Sequence, residues 1–318
     1  MFSFEPKDQP QQVVQSFLVG GVAPRPIALV STISKDRIPN LSPFSFFNAF
    51  GSNPPVVAFS ASRRGRDGSL KDTYNNLIDT GECVINAVTF NILEQINLAS
   101  TEYASEVNEW EKSGLTPIKS DIINPCLVQE SPFRMECKLY QMVSVGINPG
   151  SANIAICEVL KFHVDEEIME NGKINPFKIH HIGRNGGDIW SNIDSNALFQ
   201  LKKPTTNNNI GMNGLPDYIR NSPVFTANNL ARLALLETTP DLERAYEFIK
   251  GYEPLKSSLS DFEQFRISGD LGKMLSSALF NISNLENILE LTAKEFLQQN
   301  RIKEAFLICM YNNHIMKD

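Results

Sequence analysis

The feature that most constrains the fold is a series of short runs of β-branched and aromatic residues in the first half of the chain. Each run is bounded by Gly, Pro, Asn or Asp, which is the pattern of strands separated by turns. The runs occupy residues 26–34, 41–50, 54–62, 82–89, 133–146 and 153–164. Six strands with short connections predict a closed or nearly closed antiparallel barrel.

Two segments between these strands have helical patterns. In residues 69–81, Ser69 is followed three residues later by Asp72, which is a variant of the capping box, and Gly81 comes just past the expected end. Residues 91–103 carry a broad apolar face at helical spacing. We expect this second helix to pack on the barrel.

The pattern changes in the last third of the chain. A strand over residues 174–190 is expected to complete the first domain, and residues 202–214 are polar and rich in Asn and Gly. Beyond them, two groups of residues fall at helical spacing, namely Leu230, Leu233, Ala234 and Glu237, and Leu285, Ile288, Leu289, Thr292 and Phe296. We therefore predict a first domain at 1–201, a linker at 202–214 and an α-helical C-terminal extension at 215–318.

Composition and charge exclude several classes of partner. The 318 residues carry a formal net charge of -7, so no global positive field attracts nucleic acid or an anionic membrane. No apolar run is long enough to span a bilayer, and the first residues do not form a secretory signal, which predicts a cytoplasmic protein. The five cysteines are odd in number and form no CxxC, which argues against a disulfide framework and a zinc site.

Four motifs follow one another between Arg25 and Thr73, namely APRPIALVST, NLSPFSFFNAF, PPVVAFSAS and RDGSLKDTYNNL. In this order and spacing they resemble the flavin reductase-like family of flavoredoxin type, and the resemblance extends to about residue 190. It implies a mainly β fold, an FMN-binding split β-barrel with peripheral helices. The α-helical C-terminal extension lies outside it.

The phosphate of FMN requires hydroxyls, backbone amides and cations. Ser60 and Ser62 lie two apart at the end of a strand, so their side chains share one face. The first turn of the next helix offers unpaired amides and the positive end of a dipole. That turn contains Lys71, Asp72 and Thr73.

The resemblance assigns the same positions to the phosphate. It implies that Thr73 supplies a hydroxyl and Lys71 supplies a positive charge. Asp72 would repel a phosphate, so we expect it to bond backbone amides or to orient Lys71. Arg63 is a second candidate cation, and Arg184 is a weaker candidate for contact with the phosphate or with a nicotinamide nucleotide.

The flavin ring requires an apolar wall with a few aimed polar groups. Pro43 cannot donate to a sheet ladder, so its strand is expected to be irregular or to lie at an edge, with backbone groups left for a ligand. The resemblance implies that amides around Ser42 to Ser45 hold the pyrimidine and N5 edges of the ring. The candidates for ring and ribityl contacts are Thr32, Asn40, Leu41, Ser42, Pro43, Phe44, Ser45 and Asn48.

No constellation of acid, base or nucleophile stands out, and the chain has no dinucleotide-binding GxGxxG motif. We therefore predict no catalytic side chain and no metal, because bound flavin carries the redox chemistry. The sequence predicts an FMN-dependent oxidoreductase of the NAD(P)H:flavin reductase type, with NADH or NADPH as a transient donor.

Two alternatives stay open at this point. One is an FMN-binding electron carrier without nicotinamide reactivity of its own, and the other is an interaction protein whose barrel has lost its flavin. The resemblance also implies a homodimer, with a small-molecule flavin or a redox protein as the electron acceptor. For Phe46 and Phe50 we expect a place in the barrel core or the dimer interface.

Overall fold

The structure, a computed structural model, describes residues 1–104, 107–201, 203–204, 207–282 and 287–315. The chain divides into two units, Met1–Gln200 and Leu201–Asp318. Residues 202, 205 and 206 of the predicted linker lie outside the described residues. The predicted domain limits, with a linker at 202–214, stay a prediction.

The first unit contains the strands and five α-helices among its described residues. The strands are β1 (Ala28–Ile33), β2 (Pro39–Phe44), β3 (Phe47–Ser52), β4 (Pro55–Ser60), β5 (Glu82–Ala87), β6 (Pro117–Ile118), β7 (Leu127–Val128), β8 (Phe133–Val145), β9 (Ala152–Val164), β10 (Met169–Glu170), β11 (Lys173–Ile174), β12 (Ile182–Arg184) and β13 (Trp190–Asn192). The helices are α1 (Gln11–Gly21), α2 (Asp72–Thr80), α3 (Leu93–Ala99), α4 (Glu109–Ser113) and α5 (Pro176–Ile179).

Seven strands form one antiparallel sheet in the order β2-β1-β5-β8-β9-β4-β3. If the sheet were flat, its two edge strands would lie about 29 Å apart, because neighbouring strands are spaced at about 4.8 Å. Phe44 ends one edge strand and Phe47 begins the other, so their Cα atoms are at most about 11 Å apart. The sheet must therefore curl into a barrel, with a seam between the two edges. The predicted barrel architecture is confirmed.

The prediction of a single strand over residues 41–50 is wrong. The structure divides it into β2 and β3 at opposite edges of the sheet, joined by Ser45 and Phe46. The run of apolar and aromatic residues continues through both strands, so the pattern does not reveal that the chain changes edge. The edge position predicted from Pro43 is confirmed, because β2 is an edge strand.

Two apolar clusters pack against the two faces of the sheet. The cluster inside the barrel includes Val30, Phe59 and Ile85, together with three of the free cysteines, Cys83, Cys137 and Cys157. A second cluster on the outer face of β1 includes Leu29 and joins the sheet to α3 and α4. Consecutive residues of β1 are buried because both of its faces are covered, which explains its almost continuous apolar sequence.

The prediction of a single strand over residues 174–190 is also wrong. Asn175 caps a short helix, α5, with Pro176 at its first position, where the missing N–H of proline has no cost. The chain then forms β12 and β13, joined by a turn in which Gly186 and Gly187 have positive φ. Helix and turn signals within the apolar run therefore override the strand pattern.

Helix α2 begins later than the capping-box pattern predicts. Its N-cap residue is Lys71, without a side-chain cap, and Gly81 ends it in the left-handed conformation as expected. Ser69 instead donates its N–H and its hydroxyl to the Asp67 carboxylate. The predicted cap at Ser69 is wrong because this serine belongs to the preceding loop.

The second unit is helical, as predicted. Its helices are α6 (Asp217–Arg220), α7 (Ala227–Leu233), α8 (Leu242–Lys250), α9 (Leu259–Ser268), α10 (Leu271–Phe280), α11 (Ile288–Gln298) and α12 (Ile302–Ile315). Phe262, Phe296 and Phe306 are fully buried in its core. Glu237 lies beyond the end of α7, and Leu285 lies outside the described residues. Among the described helices, none has the length and apolar character needed to cross a membrane.

One buried carboxylate, that of Glu136 on β8, holds the loop that begins at Asp121. Its oxygens accept the backbone N–H groups of Asp121, Ile122 and Ile123 at 2.9, 2.9 and 3.2 Å, and the His163 Nε2 lies 2.7 Å away. Burial alone would raise the pKa of Glu136, but these hydrogen bonds outweigh it and the pKa is lowered. The ionised form is therefore the structural form.

We predict that Glu136→Gln lowers the free energy of unfolding by at least about 2 kcal/mol near neutral pH, because the amide NH₂ meets backbone donors. In the wild-type protein, ionised Glu136 contributes to the free energy of unfolding in full above about pH 4.3, the ordinary Glu pKa. This contribution is lost as pH falls through the lowered pKa of Glu136 in the folded state. Urea unfolding between pH 3 and 7 measures both effects. The exposed Glu167→Gln is the control, and equal effects of the two variants would contradict this role for Glu136.

Candidate functional site

The connection between β4 and α2 contains most of the predicted phosphate residues. The hydroxyls of Ser60 and Ser62 lie 2.9 Å apart, which confirms that they share one face. The Arg63 Nη1 donates to the Gly68 carbonyl at 2.9 Å, and the backbone N–H of Arg63 donates to Ser151 at 2.9 Å. The buried Nε of Arg63 has no partner among the described residues.

Arg64 fixes the shape of the same loop. Its guanidinium donates to the Leu70 carbonyl at 2.6 Å and lies 3.3 Å from the Asp72 carboxylate. Its backbone N–H and the Ser69 carbonyl close the loop with a further bond of 2.9 Å. The loop therefore reaches the N-terminus of α2 in a conformation that its own hydrogen bonds define. Asp72 forms an ion pair with Arg64, and its predicted role in bonding amides or orienting Lys71 stays a prediction.

The ammonium group of Lys71 forms no ion pair with the part of the chain that the structure describes. No carboxylate among the described residues comes within ion-pair distance, and Nζ lies 5.1 Å from the centroid of the Phe44 ring. Burial lowers the pKa of Lys71, and the charge of Arg64 lowers it further, whereas Glu102 acts in the opposite direction. A half-buried cation beside a second cation is stabilised by a bound anion.

A buried polar network lies behind the first turn of α2. The Asn40 Nδ2 donates to the hydroxyls of Thr73 and Thr32 at 3.0 and 3.2 Å, and the Asn76 Nδ2 also donates to Thr32 at 3.0 Å. These contacts join β1, β2 and α2, so the helix N-terminus is held firmly against the barrel. Thr73 accepts a bond from Asn40 and keeps its own hydroxyl proton for a further partner.

A cavity of about 500 Å³ opens in front of Lys71. The connection between β2 and β3 and the 60–65 segment form two of its walls, and one face of α1 forms a third. The lining residues are Gln11, Val14, Gln15, Leu18, Pro43, Phe44, Ser45, Phe46, Ser60, Ser62, Arg63, Arg64, Gly65, Lys71, Glu102, Pro149, Gly150 and Ser151. We call it the Lys71 cavity.

Two further spaces adjoin the Lys71 cavity. A recess of about 40 Å³ shares Lys71 with it and is also lined by Asn40, Ser42, Asp72 and Thr73. A second cavity of about 520 Å³ shares residues including Ser45, Phe46, Ser60 and Ser62 with the Lys71 cavity, and Arg25 also lines it. The Lys71 cavity therefore adjoins both other spaces, which share no lining residue with each other. A ligand with an anionic end and a flat apolar body fits this arrangement.

Comparison with known families decides the class of the ligand. Residues 20–178, half of the 318-residue chain, match the flavin reductase like domain family. The protein belongs to the flavin reductase-like family. This is a flavin-binding family, so the seam is its candidate flavin site. The match ends at residue 178, before the helical unit begins.

The relatives agree in the region that they cover. An uncharacterized protein of Aquifex aeolicus (strain VF5) is 40% identical over 188 residues, which are 59% of this chain and 93% of that protein. Nitrilotriacetate monooxygenase component B from Bacillus cereus is 31% identical with a TM-score of 0.59, over 63% of this chain and 98% of that chain. A protein with a split barrel domain from Shewanella frigidimarina NCIMB 400 has the same fold at 24% identity and a TM-score of 0.54, over 64% and 100% of the two chains.

The structure of this flavin reductase-like protein brings together most of the residues predicted for cofactor binding. Twelve of them line one or more of the three spaces, namely Asn40, Ser42, Pro43, Phe44, Ser45, Asn48, Ser60, Ser62, Arg63, Lys71, Asp72 and Thr73. Their contact with a cofactor stays a prediction.

The three other candidates line none of these spaces. Thr32 belongs to the network behind α2, and Leu41 is fully buried with its N–H donated to Glu109 at 3.3 Å. The Arg184 guanidinium lies 4.2 Å from the centroid of the Trp190 ring. Their geometry favours structural roles.

Sequence reasoning missed α1, Arg64 and the Gly150 turn. The signal for Arg64 was present in the SRRGRDGS run, where only the first arginine was considered. Gly150 has a φ of +79°, and a Cβ at this position would lie 2.6 Å from the Gln11 Nε2. The absence of a side chain at Gly150 leaves room for the Gln11 side chain of α1.

We predict that Lys71→Met leaves the free energy of unfolding of the ligand-free protein unchanged within about 0.5 kcal/mol, or raises it, because an uncompensated charge is removed. Arg64→Met is the matched variant and is expected to lower it by about 1 to 3 kcal/mol, since Leu70 and Asp72 lose their partner. Urea unfolding without flavin measures both. Equal destabilisation would mean that Lys71 is structural.

Proposed function

We propose that the protein is an FMN-dependent oxidoreductase of the NAD(P)H:flavin reductase type. The observation that carries this proposal is the half-buried Lys71 ammonium, which forms no ion pair with the described residues and lines a cavity with both polar and apolar walls. A phosphate supplies the missing negative charge, and FMN combines a phosphate with a flat ring system.

The residues of the seam fit FMN in two groups. The phosphate would bind among Lys71, the Arg63 guanidinium and the hydroxyls of Ser60 and Ser62, beside the N-terminus of α2, where Lys71 makes no side-chain cap. The ring would lie along the connection between β2 and β3, where the edge strand β2 leaves backbone groups for polar contacts. When bound, FMN supplies the hydride and electron chemistry, and the protein supplies binding and orientation.

The electron donor and the electron acceptor are part of the proposal. We propose NADH or NADPH as a transient donor that docks against the bound flavin. A small-molecule flavin or a redox protein would be the acceptor. The 31% identical relative supports a protein or flavin acceptor, because it is named as one component of a monooxygenase. We propose the cytoplasm as the location.

A homodimer is part of the proposal. Phe46 and Phe50, which line the cavity beside the seam, are 42% and 71% exposed. Large exposed aromatic residues next to a binding site favour an interface. A second copy of the chain would cover them and exclude water from the flavin.

The second candidate function is an FMN-binding electron carrier that does not react with nicotinamide nucleotides. An electron carrier requires a surface that docks on its partner proteins. The helical unit, which the family match does not include, offers such a docking element and so favours the carrier function. Both functions use the same flavin site, so only the reaction with the donor separates them.

The first test is FMN binding. We expect Lys71→Met to weaken FMN binding at least tenfold, because it removes a charge-assisted contact worth roughly 1.5 to 3 kcal/mol. Fluorescence titration of FMN measures the dissociation constant, and Lys112→Met, at an exposed position of the same unit, is the control. An unchanged affinity in Lys71→Met would refute the phosphate assignment.

The second test uses the visible spectrum of the FMN-loaded protein under anaerobic conditions. For a reductase we expect prompt bleaching of the flavin absorbance on addition of NADH or NADPH, and the faster donor identifies the preferred nucleotide. A flavin that stays oxidised with both donors, yet is reduced by dithionite, would support the carrier instead.

A further inference from the structure

The second cavity of the seam contains a buried guanidinium that the proposed flavin site does not use. Arg25 is 6% exposed and precedes β1. Its Nη1 donates to the carbonyls of Val19 and Val22, the latter at 2.8 Å, at the end of α1. Its hydrogen bonds to described residues through the guanidinium all start from Nη1, and the buried Nε has no partner.

The charge of Arg25 is only partly compensated. No carboxylate among the described residues lies within ion-pair distance of Arg25 or of Arg184, which forms a backbone bridge with it. The carbonyls at the end of α1 supply the negative end of a helix dipole, equivalent to roughly half a charge. Burial lowers the pKa of Arg25, and the neighbouring Arg184 lowers it further. The region therefore keeps a net positive charge that a ligand anion would neutralise.

The cavity around Arg25 is mainly apolar and aromatic. Its volume is about 520 Å³, and Phe46, Phe47, Phe50 and Phe59 contribute to its walls. The Arg25 Cζ lies 5.8 Å from the centroid of the Phe46 ring. Because it shares Ser45 and Phe46 with the Lys71 cavity, a ligand here would lie beside a flavin bound along the connection between β2 and β3. We call it the Arg25 cavity.

We propose that the Arg25 cavity is a binding site for an aromatic carboxylate. The carboxylate would accept from guanidinium N–H groups of Arg25 that do not bond the carbonyls of Val19 and Val22, and the planar guanidinium suits a planar two-oxygen anion. Its ring would pack on the phenylalanine walls. The position next to the flavin makes this molecule a substrate or an effector of the proposed reductase, so this part rests on the proposed function.

Arg25 also has a structural role, since it holds the end of α1. That role uses Nη1 alone, whereas the proposal concerns the other edge of the guanidinium. The residue Arg25 also lines the cavity, so a helix-capping role does not account for all of its surroundings. The two roles are separable by a ligand that differs only in charge.

The test uses benzoate and its neutral analogue benzamide as probes. We expect isothermal titration calorimetry on the full-length protein, with and without FMN, to show benzoate binding at least about tenfold tighter than benzamide. Because this comparison needs no variant, it does not depend on how a substitution affects folding. Equal affinities for the two probes, or no benzoate binding, would overturn the proposal.

Three variants locate the benzoate site. Arg25→Gln should weaken benzoate binding at least about tenfold, to the level of benzamide, whereas the exposed Arg37→Gln should leave it unchanged. If Arg25→Gln does not fold, Arg184→Gln replaces it. This variant keeps the Nη1 contacts of Arg25 and removes the neighbouring positive charge, so it should weaken benzoate binding severalfold. Loss of benzoate binding in Lys71→Met but not in Arg25→Gln would place the anion in the Lys71 cavity and overturn the proposal.

The flavin-free titration separates the two hypotheses. Benzoate binding that depends on Arg25 in a protein that fails to bind FMN would support this inference and contradict the proposed function. FMN binding without any preference for benzoate over benzamide would support the proposed flavin site and contradict the proposed aromatic carboxylate site.

Discussion

The two-residue connection between β2 and β3 is the constraint on which the rest of the first unit depends. Ser45 and Phe46 join strands at opposite edges of a seven-stranded sheet, so the sheet has to curl until those edges come close. The backbone N–H of Ser60 donates to the Phe46 carbonyl at 2.9 Å, which holds the connection against the end of β4. The barrel stays open at this seam, and the Lys71 and Arg25 cavities are found there.

The seam collects positive charge that the fold itself does not neutralise. Arg64 has Asp72 as its counter-ion, but Lys71 and Arg25 have no such partner among the described carboxylates. Partial burial of a cation costs free energy, so the charges of these two residues oppose the stability of the ligand-free protein, whereas the hydrogen bonds of Arg25 to the end of α1 stabilise it. The apolar clusters on both sides of the sheet offset that cost. Charged groups with perturbed pKa values, held in place by a well-packed apolar core, are typical of a binding site.

The sequence predicted those features that depend on local chemistry. Pro43 indicated an edge strand, Gly81 marked the end of a helix, and the order of four motifs indicated the family. Long-range geometry was not predictable in the same way. The apolar and aromatic run over residues 41–50 is compatible with one continuous strand and with two strands at different edges. Helix α1 has no buried residue, so its position over the cavity leaves no periodic signal.

Helix α1 connects the two cavities physically. Leu18 lines both of them, and the hydrogen bonds from Arg25 hold the end of the same helix. At the opposite end, the Gln11 side chain approaches Gly150, which also lines both cavities, so a larger residue there would shift that side chain. The walls of one cavity therefore cannot move without changing the other. A ligand that binds the free edge of Arg25 would stabilise the helix position that also covers the Lys71 cavity, and occupancy of the two sites would be linked in both directions.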